Sequence, residues 1–302
     1  MNTTPSYQTS DPPSDEKNNN DYHTTLLVIY SVVLLCGTIS LSLMMHILKS
    51  STVSTTSIAV LNLIFAHLIF LFTVPFRIYY YATEVWSLSH EWCKMVSAMI
   101  HIHMYMSFIL YVIILVTRLL MFYNKAAQVA SFQRMHAVIC SVLVWLIVLV
   151  VVPCTIHFFY GKDNNGNNSQ HNNTGHCFKF GKHIGSEFSK VINYIMSTVI
   201  IVVALVLIAL QTNVLWVLYR KDRQGCTSQQ DFGAQLKSLF FALIMVICFI
   251  PYHMFRIYYL SDVDKLENIN ELFLSLTTFN CLDMLTFLGG RTCNMCMPGR
   301  AI

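Results

Sequence analysis

The chain has 302 residues, of which 55% are hydrophobic and only 11% charged, with a formal net charge of +4 and a mean hydropathy of +0.54. Soluble domains carry about 25% charged residues. Composition therefore excludes a water-soluble globular domain and predicts an all-α membrane bundle, with membrane lipid as its surroundings and no nucleic-acid partner.

Seven apolar runs are long enough to cross a hydrocarbon core of roughly 30 Å. They lie near Leu26–Leu48, Ile58–Ala82, Met95–Met121, His136–Phe159, Val191–Tyr219, Leu236–Leu260 and Leu266–Leu288. The expected organisation is a tail over 1–25, a seven-transmembrane domain over 26–288 and a short tail over 289–302. An amino terminus outside puts ten Lys and Arg on the cytoplasmic side against nine outside, which decides nothing by the positive-inside rule. Three glycosylation sequons, at Asn2, Asn167 and Asn172, all fall on the amino-terminal side of seven spans, and they favour an extracellular amino terminus with a cytoplasmic carboxyl terminus.

The amino-terminal tail, with Pro5, Pro12, Pro13 and Asn18-Asn19-Asn20, lacks the apolar residues to bury anything and is expected to be disordered and glycosylated. It has no basic n-region or cleavage site, so the first span should serve as its own insertion signal. That span, with Gly37 and Ser40, reads as a packing helix.

The second span carries Asn62 and His67 in mid-membrane, then Pro75, which should kink it. Arg77 follows near the interface, where a cation costs little. An intramembrane histidine needs a partner. Asp283 in the last span is the candidate for His67, and a backbone carbonyl is the alternative.

The third span runs from Cys93 to Arg118, 25 steps or roughly 37 Å of helix. A thiol at one end and a lone guanidinium at the other give it a polarity, because a disulfide forms only on the oxidising side. His101 and His103, about 200° apart on a helix, cannot hold one metal together. His103 is expected to pack, and His101 to line a pocket. No metal or cofactor motif is evident.

The fourth span holds Trp145 and Pro153, and an Asn- and Gly-rich loop closes on Cys177-Phe178-Lys179-Phe180. Cys177 is the only cysteine outside the spans on that side besides Cys93, so the two should pair. The fifth span lacks proline, and the loop after it is basic and carries Asp231. In the sixth, Pro251 kinks the helix and His253 and Arg256 share one face, an attractive seat for an anion. Snorkelling of Arg256 to headgroups is the alternative. Cys293 and Cys296 in the last tail are candidate palmitoylation sites.

Taken in order, Cys93, Thr117-Arg118, Trp145, Cys177, Cys248-Phe249-Ile250-Pro251 and Asp283 resemble the landmarks of the rhodopsin-like class of G-protein-coupled receptors, within the branch that includes purinergic nucleotide receptors. The resemblance implies an extracellular ligand, anionic and either a small molecule or a lipid, and a heterotrimeric G protein as cytoplasmic partner. It implies no enzymatic chemistry and no cofactor. Arg118 would engage the G protein as the sixth helix swings about Pro251, with Phe249 as the ligand-sensing aromatic. Arg77, His101, Tyr105, Lys179, His253 and Arg256 would form the pocket, His253 and Arg256 matching the phosphate-contacting His-x-x-Arg of nucleotide receptors.

The chain departs from that pattern. Thr117-Arg118-Leu119 lacks the neighbouring carboxylate, which Asp231 could replace across the helix gap. His67, a poor sodium ligand, stands where the family has an aspartate, and Asp283-Met-Leu-Thr-Phe287 has neither the usual proline nor the tyrosine. Two rival readings follow: a receptor-shaped scaffold that couples poorly or constitutively, and a transporter or membrane enzyme using His67 and Asp283 to handle protons.

Overall fold

A computed structural model describes residues 14–49, 55–123, 138–139, 141–151, 154, 177–178, 187–222 and 229–284. The elements are α1 (Ser14–Lys49), α2 (Thr55–Thr83), α3 (His90–Tyr123), α4 (Ser141–Val151), α5 (Glu187–Asp222), α6 (Gln229–Tyr259) and α7 (Val263–Leu276), which passes into a 3-10 helix over Thr277–Met284. No strand occurs among the described residues. Five helices, α1, α2, α3, α5 and α6, are long and apolar enough to cross a membrane.

The apolar residues are sorted by what they face. On α5, Val191, Ile195, Val199, Val202 and Val206 recur at three- and four-residue spacing and are all exposed, a stripe for lipid. On α3 almost every residue from Ile100 to Leu115 is buried or half-buried, because the other helices surround it. Each side of this core is tied by a polar bond as well. Asn62 donates to Ser141 Oγ at 2.8 Å and accepts from Trp145 Nε1 at 3.1 Å, joining α2 to α4, while Gln211 donates to the Leu115 carbonyl at 3.3 Å, joining α5 to α3. Gly37 lets α1 approach closely: a Cβ there would meet Leu71 Cδ2 at 3.0 Å.

Three features differ from the sequence expectations. First, α1 begins at Ser14, upstream of Leu26, and carries Tyr22 and His23 edge-on against Tyr81, with ring centroids 6.4 and 5.6 Å away. Those contacts reward ordering of a polar stretch that has no apolar face of its own. Second, the seventh span is not one α-helix. Ser275, Thr277 and Thr278 turn their hydroxyls onto carbonyls three residues back, at 2.7, 2.7 and 2.6 Å, where the winding tightens to i→i+3. Third, Arg77 is fully buried among protein side chains.

Cys93 at the start of α3 is bonded to Cys177, with a Cα–Cα distance of 5.8 Å. This disulfide marks one end of the bundle, and Arg118 marks the other.

Candidate functional site

α2 continues past Pro75, which lies inside it, and carries the Arg77 guanidinium to Glu271 on α7. Its Nη1 donates to Glu271 Oε1 at 2.7 Å and to Tyr30 Oη at 3.2 Å, and its Nη2 reaches the Val96 carbonyl at 3.5 Å. Tyr81 donates to the same carboxylate oxygen at 3.2 Å and stacks on Tyr30, with centroids 5.8 Å apart. Phe178, beside the disulfide, lies 4.3 Å from the guanidinium carbon, a cation–π contact. Its backbone φ of 68° is unusual for a bulky residue, and the ring's seat among Tyr80, Tyr81 and Trp86 holds it there. The result is a charge-matched crosslink of α1, α2, α3 and α7.

A second basic group lies across the bundle. Arg256 on α6 donates from Nε and Nη2 to Asn193 Oδ1 on α5, at 3.4 and 3.2 Å, and from Nη1 to Asn270 Oδ1 on α7 at 3.4 Å. It lies 5.1 Å from the Tyr259 centroid. One turn towards the bundle centre, buried His253 faces Ser197 Oγ at 3.3 Å. Amide oxygens orient a planar guanidinium without bringing a charge of their own. His101 is half-buried, with Nδ1 3.0 Å from the Ser97 carbonyl, and Tyr105 is half-buried on the same helix. Lys179 lies outside the described residues.

At mid-bundle, fully buried side chains of α2, α3 and the 3-10 segment meet. His67 Nε2 lies 3.3 Å from Asp283 Oδ1 and 3.5 Å from Oδ2, and Tyr111 donates to Oδ2 at 2.6 Å. The sequence expectation for His103 needs correcting. Beyond stacking on Phe70 at 4.2 Å, it places Nε2 2.8 Å from His67 Nδ1. Cys281 Sγ is 3.6 Å from both of those nitrogens. Contacting residues in one network couple by about 0.5–3 kcal/mol. His67→Ala and Asp283→Ala should accordingly be non-additive in a thermal double-mutant cycle, and strict additivity would reject the contact.

Tyr111 also links this cluster to α6. Its ring centroid is 6.1 Å from that of Phe249 and 5.7 Å from Phe241, and Phe249 in turn meets Phe108 at 5.8 Å. Phe249 is fully buried and lies two residues before Pro251, which is inside α6. Thr117 and Arg118 are half-buried at the far end of α3. Asp231 falls within α6, but its side chain lies outside the described residues, as do Asn2, Asn167, Asn172, Cys293 and Cys296.

Sequence reasoning missed Glu271, Tyr111 and Cys281. Glu271 carried a usable signal, since an acid within an apolar span calls for a partner just as His67 does. Tyr111 and Cys281 carried none, because a tyrosine or cysteine in such a span is ordinary.

The family model described as 7 transmembrane receptor (rhodopsin family) matches residues 40–285. Probable G-protein coupled receptor 141 of Homo sapiens is 39% identical over 270 residues, covering 87% of each chain. Probable G-protein coupled receptor 34 of Mus musculus is 25% identical, covering 85% of this chain and 71% of its own. The 2-oxoglutarate receptor 1 of Rattus norvegicus is 25% identical, covering 76% and 67%. With its helices and disulfide, the chain thus belongs to the rhodopsin family of seven-transmembrane receptors, as a multi-pass plasma-membrane receptor and not an enzyme.

Proposed function

We propose that the chain binds an extracellular anion at the disulfide end and couples it to a heterotrimeric G protein at the Arg118 end. In this reading the amino terminus is extracellular and glycosylated at Asn2, Asn167 and Asn172, and the carboxyl-terminal tail is cytoplasmic with Cys293 and Cys296 lipidated. The observation that carries the anion is the pair of buried cations at that end, Arg77 on α2 and Arg256 on α6. Arg77 pairs with Glu271, and Arg256 is oriented by the amide oxygens of Asn193 and Asn270, with His253 one turn below. A relative bearing the name of 2-oxoglutarate, a small dianion, adds support. Arg256 and His253 seat the anion, His101, Tyr105 and Lys179 line its approach, and Arg77 keeps the neighbouring wall in place.

Transmission runs along α6. A ligand drawing Arg256 inward shifts the segment beyond Pro251, and Phe249 passes that shift to Tyr111 and Asp283. Outward movement of the other end of α6 opens the surface around Thr117 and Arg118, where Asp231 restrains the arginine at rest. To move such an equilibrium from 1:99 to 99:1, an agonist must favour the active state by about 5.5 kcal/mol.

Arg256→Ala should abolish the response to an active anion, found by screening dicarboxylates, nucleotides and lysophospholipids, at unchanged surface expression. An unaltered concentration-response curve rejects the seat. The absence of an acid beside Arg118 favours a second reading, a constitutively active or weakly coupled receptor-like scaffold. Ligand-free second-messenger output that vanishes in Arg118→Ala supports coupling, and no output under any ligand supports the scaffold.

A further inference from the structure

We propose that His67, His103 and Cys281 form a binding site for a thiophilic divalent cation, zinc, in the centre of the bundle. The three donor atoms are His67 Nδ1, His103 Nε2 and Cys281 Sγ, all on buried side chains and within 4.8 Å of one another. The nitrogens are 2.8 Å apart, and the sulfur is 3.6 Å from each.

Tetrahedral zinc bonds nitrogen at about 2.0–2.1 Å and thiolate sulfur at about 2.3 Å, which sets nitrogen and sulfur roughly 3.6 Å apart and two nitrogens roughly 3.3 Å apart. Both sulfur distances already match. Only the two imidazoles must separate, by about 0.5 Å. Two imidazoles and a thiolate select zinc over sodium, magnesium or calcium, which take oxygen ligands.

The surroundings supply what a metal-bound histidine needs. His67 presents its second nitrogen, Nε2, to the Asp283 carboxylate, 3.3 Å from Oδ1 and 3.5 Å from Oδ2, and Tyr111 donates to Oδ2 at 2.6 Å. A carboxylate there fixes the tautomer with the proton on Nε2 and leaves Nδ1 free to ligate. Charge also balances: zinc with one thiolate and two neutral imidazoles carries one net positive charge, and Asp283 carries one negative. On binding, the Cys281 thiol gives its proton to solvent, and His103 moves its proton from Nε2 to Nδ1. His103 Nδ1 has no hydrogen-bond partner among the described residues and can take that proton, so the His67–His103 hydrogen bond is exchanged for two bonds to the metal.

The ligands come from α2, α3 and the 3-10 segment, so the cation would pin three elements together and leave one coordination position open. The site draws on neither the anion seat nor a G protein, and it is tested apart from either. Full-length receptor is purified in detergent with Cys36, Cys154, Cys226, Cys293 and Cys296 changed to serine, then titrated with cobalt(II) as a spectroscopic stand-in. The expected result is one equivalent bound, with a thiolate-to-cobalt charge-transfer band that zinc displaces and magnesium does not. Cys281→Ser should erase the band, and Asp283→Asn should weaken binding by about 10–100-fold. No band in the starting protein, or the same band in Cys281→Ser, overturns the site. A measurement on the unaltered sequence guards against misfolded variants: zinc should slow alkylation of Cys281 at least about tenfold, as a bound thiolate is no longer a free nucleophile. Equal alkylation with and without zinc also overturns it.

Discussion

Glu271→Ala is expected to cost about 3–5 kcal/mol of stability, the usual consequence of removing one partner from a buried ion pair. The loss comes less from the missing attraction than from what remains. Arg77 would stay fully buried, still bonded to Tyr30 and the Val96 carbonyl, and the Tyr81 hydroxyl would lose its acceptor. In detergent this should appear as a fall of on the order of 5–10 °C in apparent melting temperature. The double replacement Arg77→Met with Glu271→Leu should recover most of it, since well-packed apolar residues often substitute for a buried pair at no cost. A single variant that melts with the parent protein would mean that water reaches the pair and screens it.

Cys177→Ser is expected to have the next largest effect. Closing a chain separation of 84 residues stabilises by about 4–5 kcal/mol in the chain-entropy account, an upper bound here because the bilayer already confines the intervening helices. The local consequence is the more diagnostic one. Freed of its anchor, Phe178 loses the reason to hold a positive φ, and its ring leaves both Arg77 and Trp86, 5.8 Å away. Melting should drop and Trp86 emission should shift to the red, while mild reduction of the parent protein reproduces both. Retention of the parent emission spectrum in Cys177→Ser would show that the aromatic cluster, not the disulfide, positions Phe178.

The bundle was legible because lipid demands long unbroken apolar helices, and α2, α3, α5 and α6 announce themselves by composition alone. The seventh span was harder. Glu267, Asn268, Asn270 and Glu271 interrupt it, and nothing in the order of residues says that Ser275, Thr277 and Thr278 will turn their hydroxyls back on the chain. Cys93 and Cys177 could be matched by elimination, and His67 with Asp283 because buried ionisable groups are scarce and must find each other. Arg77 was misread for a different reason. Depth along α2 fixes how far a side chain lies from the headgroups, but not whether it points outward or inward, and its carboxylate lies 194 positions away. His103 reads as a packing residue when only its chain neighbour His101 stands beside it. Its true companion stands on another helix, 36 positions off.

The tight winding over Thr277–Met284 has a mechanical side. Eight residues rise about 2.0 Å each in this form against about 1.5 Å in an ordinary α-helix, and advance about 120° each against about 100°. Rewinding the segment would draw its far end in by roughly 4 Å and rotate it through roughly 160°. Cys281 and Asp283 would be carried off His67 like the teeth of a turned key. The stretch is thus a short screw thread, whose pitch decides whether the central polar cluster is closed or broken.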